Sequence, residues 1–256
     1  MFRHAIVRTP GKNFADGLTT VDLGIPDFDK TLQQHQHYCE ALEKCGIELV
    51  RLPADLRYPD STFVEDVAVL LPEFAVLTNP GADSRRGEVE EIKPVISKVY
   101  QHVYTIKSPG TLDGGDICEA GLHFFIGISE RTNEEGGRQL AEILAKAGYS
   151  SSFVEVRGVP DILHLKSGIA SLGDKNLVLI KAFSNLAQFK SYHIIQVEEN
   201  ENYAANCVQV NDFVFLPDGF PQIKQSLLGL GYQVIPLDMS EYRKMDGGLS
   251  CLSLRF

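Results

Sequence analysis

Residues 247–256 read GGLSCLSLRF. The alternation of apolar and small polar residues behind a Gly-Gly pair predicts a strand. Terminal segments this apolar fray unless something pairs with them. What pairs with this one decides the fold. Upstream, three segments share one grammar: residues 64–92 (VEDVAVLLPEFAVLTNPGADSRRGEVEEI), 114–144 (GGDICEAGLHFFIGISERTNEEGGRQLAEIL) and 206–231 (NCVQVNDFVFLPDGFPQIKQSLLGLG). Each reads strand, short turn, strand, then helix, with a further strand such as YQVIPLD behind it. Residues 167–189 form a looser fourth copy. Asp66, Asp116, Ser167 and Asn206 open the four copies at spacings of 50, 51 and 39 residues, and Cys251 follows Asn206 by 45. Self-similarity at such a period signals an array or propeller.

The C-terminal run is then the first strand of a fifth copy. The N-terminal HAIVRT supplies its second strand, a helix from Asp29 to Cys45 follows, and IELVRL closes the unit. Joining the two ends closes a ring and removes two exposed sheet edges. The expected fold is therefore α/β: a five-bladed pseudosymmetric propeller of ββαβ modules, one catalytic domain over 1–256. Pro94, inside EEIKPVISK, is expected to break or kink the second helix. In a closed ring the repeat starts meet near the axis, so Asp66, Asp113 to Asp116, His164, Asn206 and Cys251 are expected to converge.

Composition bounds the chemistry. The 256 residues are 44% hydrophobic and 23% charged, with a formal charge of −10 at pH 7. That charge argues against nucleic acid or an anionic membrane as partner and suits a cationic small ligand. No apolar run is long enough to span a bilayer, and a cytoplasmic location is expected. The five cysteines show no zinc spacing and no disulfide framework.

Cys251 alone reads as a small buried hydrophobe or as a nucleophile. His164, between two leucines, reads as a structural histidine or, facing the same axis, as a general acid and base. Asp66 enters an apolar run where a carboxylate is costly unless paired. Several carboxylates around one pocket demand a cation, and without metal-type spacing a guanidinium or amine fits better than Mg²⁺ or Zn²⁺. Arg85 and Arg131 suit a solvated surface or a bidentate grip on a carboxylate. A pocket acidic at one end and Arg-lined at the other suits an amino acid with a cationic tail.

The motifs FVED (63–66), PGADSRRGE (80–88), GTLDGGDI (110–117), LHLKSG (163–168), YAANC (203–207) and SEYRKMDGGLSCLSLRF (240–256) closely resemble, in order and spacing, the dimethylarginine dimethylaminohydrolase family. The resemblance runs end to end. It implies the pentein fold and hydrolysis of dimethyl- and monomethylarginine to citrulline and an amine, with no cofactor, as a monomer or homodimer. By the same resemblance Cys251 is the nucleophile, His164 the acid/base and Asp113 the third catalytic carboxylate. Glu65 and Asp66 would hold the guanidinium, and Arg85 and Arg131 the carboxylate. Asp60, with backbone groups of Leu18 and Met245, would complete the grip, and residues 11–20 would form a lid. Phe63, Leu18 and Leu249 are the expected apolar wall around the N-methyl groups. The rivals are an arginine deiminase-like hydrolase, an amidinotransferase, and a catalytically silent ring of the same fold.

Overall fold

The computed structural model describes residues 1–173 and 175–256. The first strand, β1 (His4–Arg8), is followed by α1 (Phe28–Lys44) and β2 (Glu48–Leu52). Asp27 caps α1 by accepting from Lys30 N at 2.8 Å, which satisfies a helix-end amide that would otherwise lack a partner. Tyr38 and Leu42 bury one face of this helix. The next repeat contains β3 (Ala68–Leu70), β4 (Ala75–Leu77), α2 (Glu88–Val99) and β5 (Val103–Thr105). Then come β6 (Ile117–Ala120), β7 (His123–Ile128), α3 (Glu134–Lys146) and β8 (Ser150–Glu155). The fourth copy holds β9 (Ile169–Ser171), β10 (Asn176–Leu179), the one-turn α4 (Lys181–Ser184) and β11 (His193–Gln196). Its short helix explains why it reads loosely. The last repeat is β12 (Val208–Val210), β13 (Phe213–Pro217), α5 (Pro221–Gly229) and β14 (Gln233–Leu237), and β15 (Leu254–Arg255) follows.

Among the described residues these strands form five three-stranded sheets. In each, the middle strand pairs antiparallel with the strand on one side and parallel with the strand beyond the helix. The fifth sheet has the order β15-β1-β2 and joins the two ends of the chain. Ala5 sits opposite Arg255 and Ile6 opposite Leu254, and Phe256 O accepts from Arg3 N and His4 N at 2.9 Å each. That is the ring closure expected from GGLSCLSLRF.

Two local expectations need correction. The strand at the C-terminal end covers only Leu254–Arg255; Cys251 lies in a 3₁₀ turn, Ser250–Leu252. Similar turns precede the other first strands: Val64–Val67, Gly114–Asp116, Leu165–Ser167 and Glu199–Ala205. Asp66 is therefore on a turn and not in a strand. α2 also runs through Pro94 without ending. The carbonyl that loses its partner belongs to Glu90, four residues back, and both residues are exposed, so the lost bond falls on the solvent side of the helix and not in the core. The first strands β3, β6, β9, β12 and β15 all line one cavity of about 380 Å³ on the ring axis.

Candidate active site

The 3₁₀ turns pack against one another around the axis and carry the site. Cys251, His164, Asp113, Asp66, Asp60, Arg85, Arg131, Leu18 and Met245 all line one small cavity of about 30 Å³, room for about one water. Nε2 of His164 lies 3.1 Å from Oδ2 of Asp113, and both side chains are buried. The aspartate arm therefore reaches the histidine. Asp113 Oδ1 accepts from Gly81 N at 2.9 Å. Asp66 Oδ1 accepts from Gly115 N at 2.9 Å, and its Oδ2 is 2.5 Å from Arg85 Nη1. Gly115 must lack a side chain: a Cβ there would sit 2.8 Å from both Asp66 Oδ1 and His164 Nδ1.

The charges are strongly coupled. Burial works to discharge His164, but Asp66, Asp116 and Asp113 outweigh it and raise its pKa to about 9. Burial also raises Asp66, but the His164 cation and Arg85 hold it below the ordinary carboxylate value. Burial, reinforced by Glu65 and Asp66, pushes the Cys251 thiol up to about 12. The resting pair at neutral pH is thus a thiol and an imidazolium. Asp66, Asp113 and His164 bring one ligand-type atom each within 4.8 Å of one another, the one such convergence found among the described residues. Within this group Arg85 already pairs with Asp66, and His164 with Asp113.

The amino-acid end is less even-handed than the paired arginines suggest. Arg85 Nε and Nη2 donate to Glu88 at 3.0 and 2.8 Å, and Nη2 also reaches the carbonyls of Asp60 and Phe63. Arg131 makes no side-chain hydrogen bond or ion pair among the described residues, which leaves its fork available. Asp60 accepts from Leu18 N at 3.1 and 3.3 Å. Thr20 N donates to Asp246 Oδ2 at 2.6 Å and Thr19 Oγ1 to Lys244 O at 2.9 Å, so the 18–20 segment is fastened over the cavity.

Four expected residues, Glu65, Asn206, Leu249 and Asp116, do not line this cavity. The structure does not bring the Glu65 side chain to this cavity. Successive residues of a 3₁₀ turn diverge by a third of a circle, so Asp66 faces the site while Glu65 lines the larger axial cavity. There Glu65 Oε1 pairs with Lys166 Nζ at 2.6 Å and Oε2 accepts from Ser250 Oγ at 2.7 Å. Asn206 completes this belt, donating to Lys166 O and Ser250 Oγ and accepting from Ser250 N. Leu249 is fully buried in the apolar core beside Tyr242 and Phe63 and does not line the cavity. Leu163 lines it instead, and Phe63 and Leu18 line it as expected. The Gly-Gly pair makes room for protein: a Cβ on Gly247 would collide with the Phe63 ring, and one on Gly248 with Asn206. Lys166, Asp246 and Glu88 went unread, although all three sit inside the quoted motifs.

Replacing Lys166 by Met should destabilise the fold by about 3–5 kcal/mol, because it strands the Glu65 carboxylate, only 4% exposed, without its cation. Urea unfolding checks this; an unchanged midpoint would show that water replaces the lysine.

The comparisons agree with this geometry. A family model described as N,N dimethylarginine dimethylhydrolase, eukaryotic, matches residues 27–252. The chain is 48% identical over 257 residues to the N(G),N(G)-dimethylarginine dimethylaminohydrolase of Pseudomonas aeruginosa, covering all of both chains. It is 32% identical to that of Streptomyces coelicolor, covering 99% of this chain and 96% of the other. A crystal structure of the Pseudomonas aeruginosa protein, a cysteine-to-serine mutant complexed with citrulline, superposes with a TM-score of 0.97 over the whole of both chains at 47% identity. The N-terminal domain of a cyanobacterial arginine dihydrolase shares the fold at a TM-score of 0.87 and 21% identity. With a repeat ring closed through its own termini and a buried cysteine, histidine and aspartates on its axis, this chain belongs to the dimethylarginine dimethylaminohydrolase family.

Proposed function

We propose that this protein, acting as one catalytic unit over 1–256, hydrolyses Nω,Nω-dimethylarginine and Nω-methylarginine to citrulline plus dimethylamine or methylamine, with Cys251 as nucleophile. The observation that carries the reading is the gathering of Cys251, His164, Asp113 and Asp66 around one cavity with Arg131. Residues 11–20, which reach the cavity through Leu18, are the lid in this reading. Arg131 then takes the carboxylate, with Arg85 behind it, and Asp60 with the Leu18 and Met245 backbone takes the ammonium.

The guanidinium arrives beside the Cys251 thiol, and its positive charge favours the thiolate; the thiol proton leaves to solvent. Sulfur attacks the guanidinium carbon, forming a C–S bond and moving an electron pair onto nitrogen. No negative charge builds up on oxygen in this step, so no oxyanion hole is needed; Asp66 and Asp113 hold the guanidinium nitrogens in place for the attack. Imidazolium His164 protonates the departing amine as the C–N bond breaks, leaving an S-alkyl thiouronium. Neutral His164 then takes a proton from water as the oxygen attacks. The adduct collapses to citrulline and the thiol, with His164 again protonated. Asp113, 3.1 Å from Nε2, orients the ring and stabilises its cation.

The test is incubation with dimethylarginine, monomethylarginine and arginine, followed by citrulline measurement. Phe63, Leu163 and Leu18 offer no hydrogen-bond partners to a terminal N–H. Stranding one costs about 1–3 kcal/mol, whereas burying each methyl gains about 0.8 kcal/mol. kcat/KM for dimethylarginine should exceed that for arginine by about 10²-fold. A ratio below one would favour the arginine deiminase reading.

The pH dependence has a definite sign. The free enzyme at neutral pH holds one proton more than the reactive thiolate–imidazolium form. kcat/KM should therefore rise about tenfold per pH unit and level off near pH 9, where His164 titrates. A profile flat from pH 6 to 9 would instead mean that the thiolate preexists.

A further inference from the structure

Asp116 is fully buried and does not line the catalytic cavity, yet its contacts reach three residues that do. Oδ1 accepts from Leu165 N at 2.9 Å, next to His164. Oδ2 accepts from two hydroxyls, Ser129 Oγ at 2.7 Å and Thr132 Oγ1 at 2.6 Å. Each hydroxyl is itself an acceptor. Ser129 Oγ takes Arg131 N at 3.0 Å and Thr132 N at 3.1 Å, and Thr132 Oγ1 takes Asp113 N at 3.0 Å. A hydroxyl has one hydrogen and two lone pairs. Ser129 has both lone pairs engaged, so its hydrogen has to go to Asp116. An ionised carboxylate, an acceptor at both oxygens, suits this arrangement of two O–H groups on Oδ2 and one N–H on Oδ1, although burial pushes its pKa up to about 6.

We propose that Asp116 is a positioning residue that holds both ends of the substrate site in register, through Thr132 to Asp113, through Leu165 to His164 and through Ser129 to Arg131. This rests on the roles assigned to those three residues above. One carboxylate thus links the proton-transfer pair to the group that grips the substrate carboxylate. A slip of about 1 Å at either end costs about 10² in rate, and three of the backbone groups that set those ends hang on this one side chain. A plain fold anchor between the repeats that Asp116 and Ser167 open would show the same burial, but it would not divide its effects between two kinetic constants according to which hydroxyl is removed.

The experiment compares Asp116→Asn, Thr132→Val, Thr132→Ser and Ser129→Ala with wild type, using dimethylarginine and counting folded sites by labelling the active-site thiol. Wild-type citrulline formation comes first; if it is absent, the functional reading falls and this proposal with it. A carboxamide in place of the Asp116 carboxylate would point an N–H at hydroxyls that need an acceptor, so Asp116→Asn should lower kcat about 10²-fold and raise KM about tenfold. Thr132→Val should lower kcat with little change in KM, and Thr132→Ser should recover most of the loss. Ser129→Ala should raise KM with little change in kcat. Three carboxylates, Asp66, Asp113 and Asp116, face His164, so removing one charge should move the levelling of kcat/KM to lower pH. If the folded Asp116→Asn enzyme keeps wild-type constants, or if Thr132→Val and Ser129→Ala change the same constant, the proposal is overturned. Should Asp116→Asn fail to fold, the Thr132 and Ser129 pair decides alone.

Discussion

Cys251→Ser removes citrulline formation, by about 10⁴-fold or more, while the fold survives. Serine fits the space, since the sulfur is buried in a 3₁₀ turn where it accepts from Gly248 N at 3.4 Å. The turn itself is held by Asn206 through Ser250 and does not depend on the thiol. What is lost is ionisation. A thiol raised to about 12 is brought within reach of deprotonation by an adjacent cation, whereas a hydroxyl starts several units higher. No neutral base stands ready to activate it, because His164 is already protonated at neutral pH. Mass spectrometry of wild type quenched during turnover should find the adduct on the peptide holding Cys251. Cys118 and Cys207 are also buried, with thiols near 12, and line the other axial cavity. An adduct on either would move the chemistry to the wrong side of the ring and sink the assignment.

His164→Gly separates the two half-reactions. The first retains a route, because dimethylamine departing from the adduct can take a proton from water, slowly. The second needs a base to draw a proton from the attacking water; the imidazole that served is gone, and Asp66 is held by Arg85 and Gly115 N. The thiouronium should accumulate, and overall turnover should fall by about 10³–10⁴-fold. Rapid-quench mass spectrometry would show a stoichiometric adduct before any citrulline. Full turnover would remove His164 from the mechanism.

Much of this was legible because it is written locally. The strand–turn–strand–helix grammar of 64–92, 114–144 and 206–231 is a matter of periodicity and turn residues, and short-range physics reads both. Ring closure followed from one unpaired apolar run at each end. Pro94 shows where local rules overreach: the penalty is real, but it falls on the solvent side of the helix. Cys251 was placed in a strand because alternation over three or four residues does not distinguish a strand from a 3₁₀ turn.

The sequence by itself determined the number of repeats, their order, the closure of the ring and the residues on its axis. These depend on hydrophobic pattern and on spacing, both of which are read along the chain. The tertiary structure decided which way each of those residues points. Glu65 and Asp66 are neighbours on one turn, yet a third of a circle separates their side chains and sends them to opposite ends of the axis. Arg85 proved to be surrounded by Asp66 and Glu88, and Arg131 to have no side-chain partner among the described residues. Leu249 went to the core and Leu163 to the cavity. Asp116 became the link between Asp113, His164 and Arg131. Each of these outcomes turns on contacts across repeats some fifty residues apart, and on donor and acceptor counts that exist only once those repeats have packed.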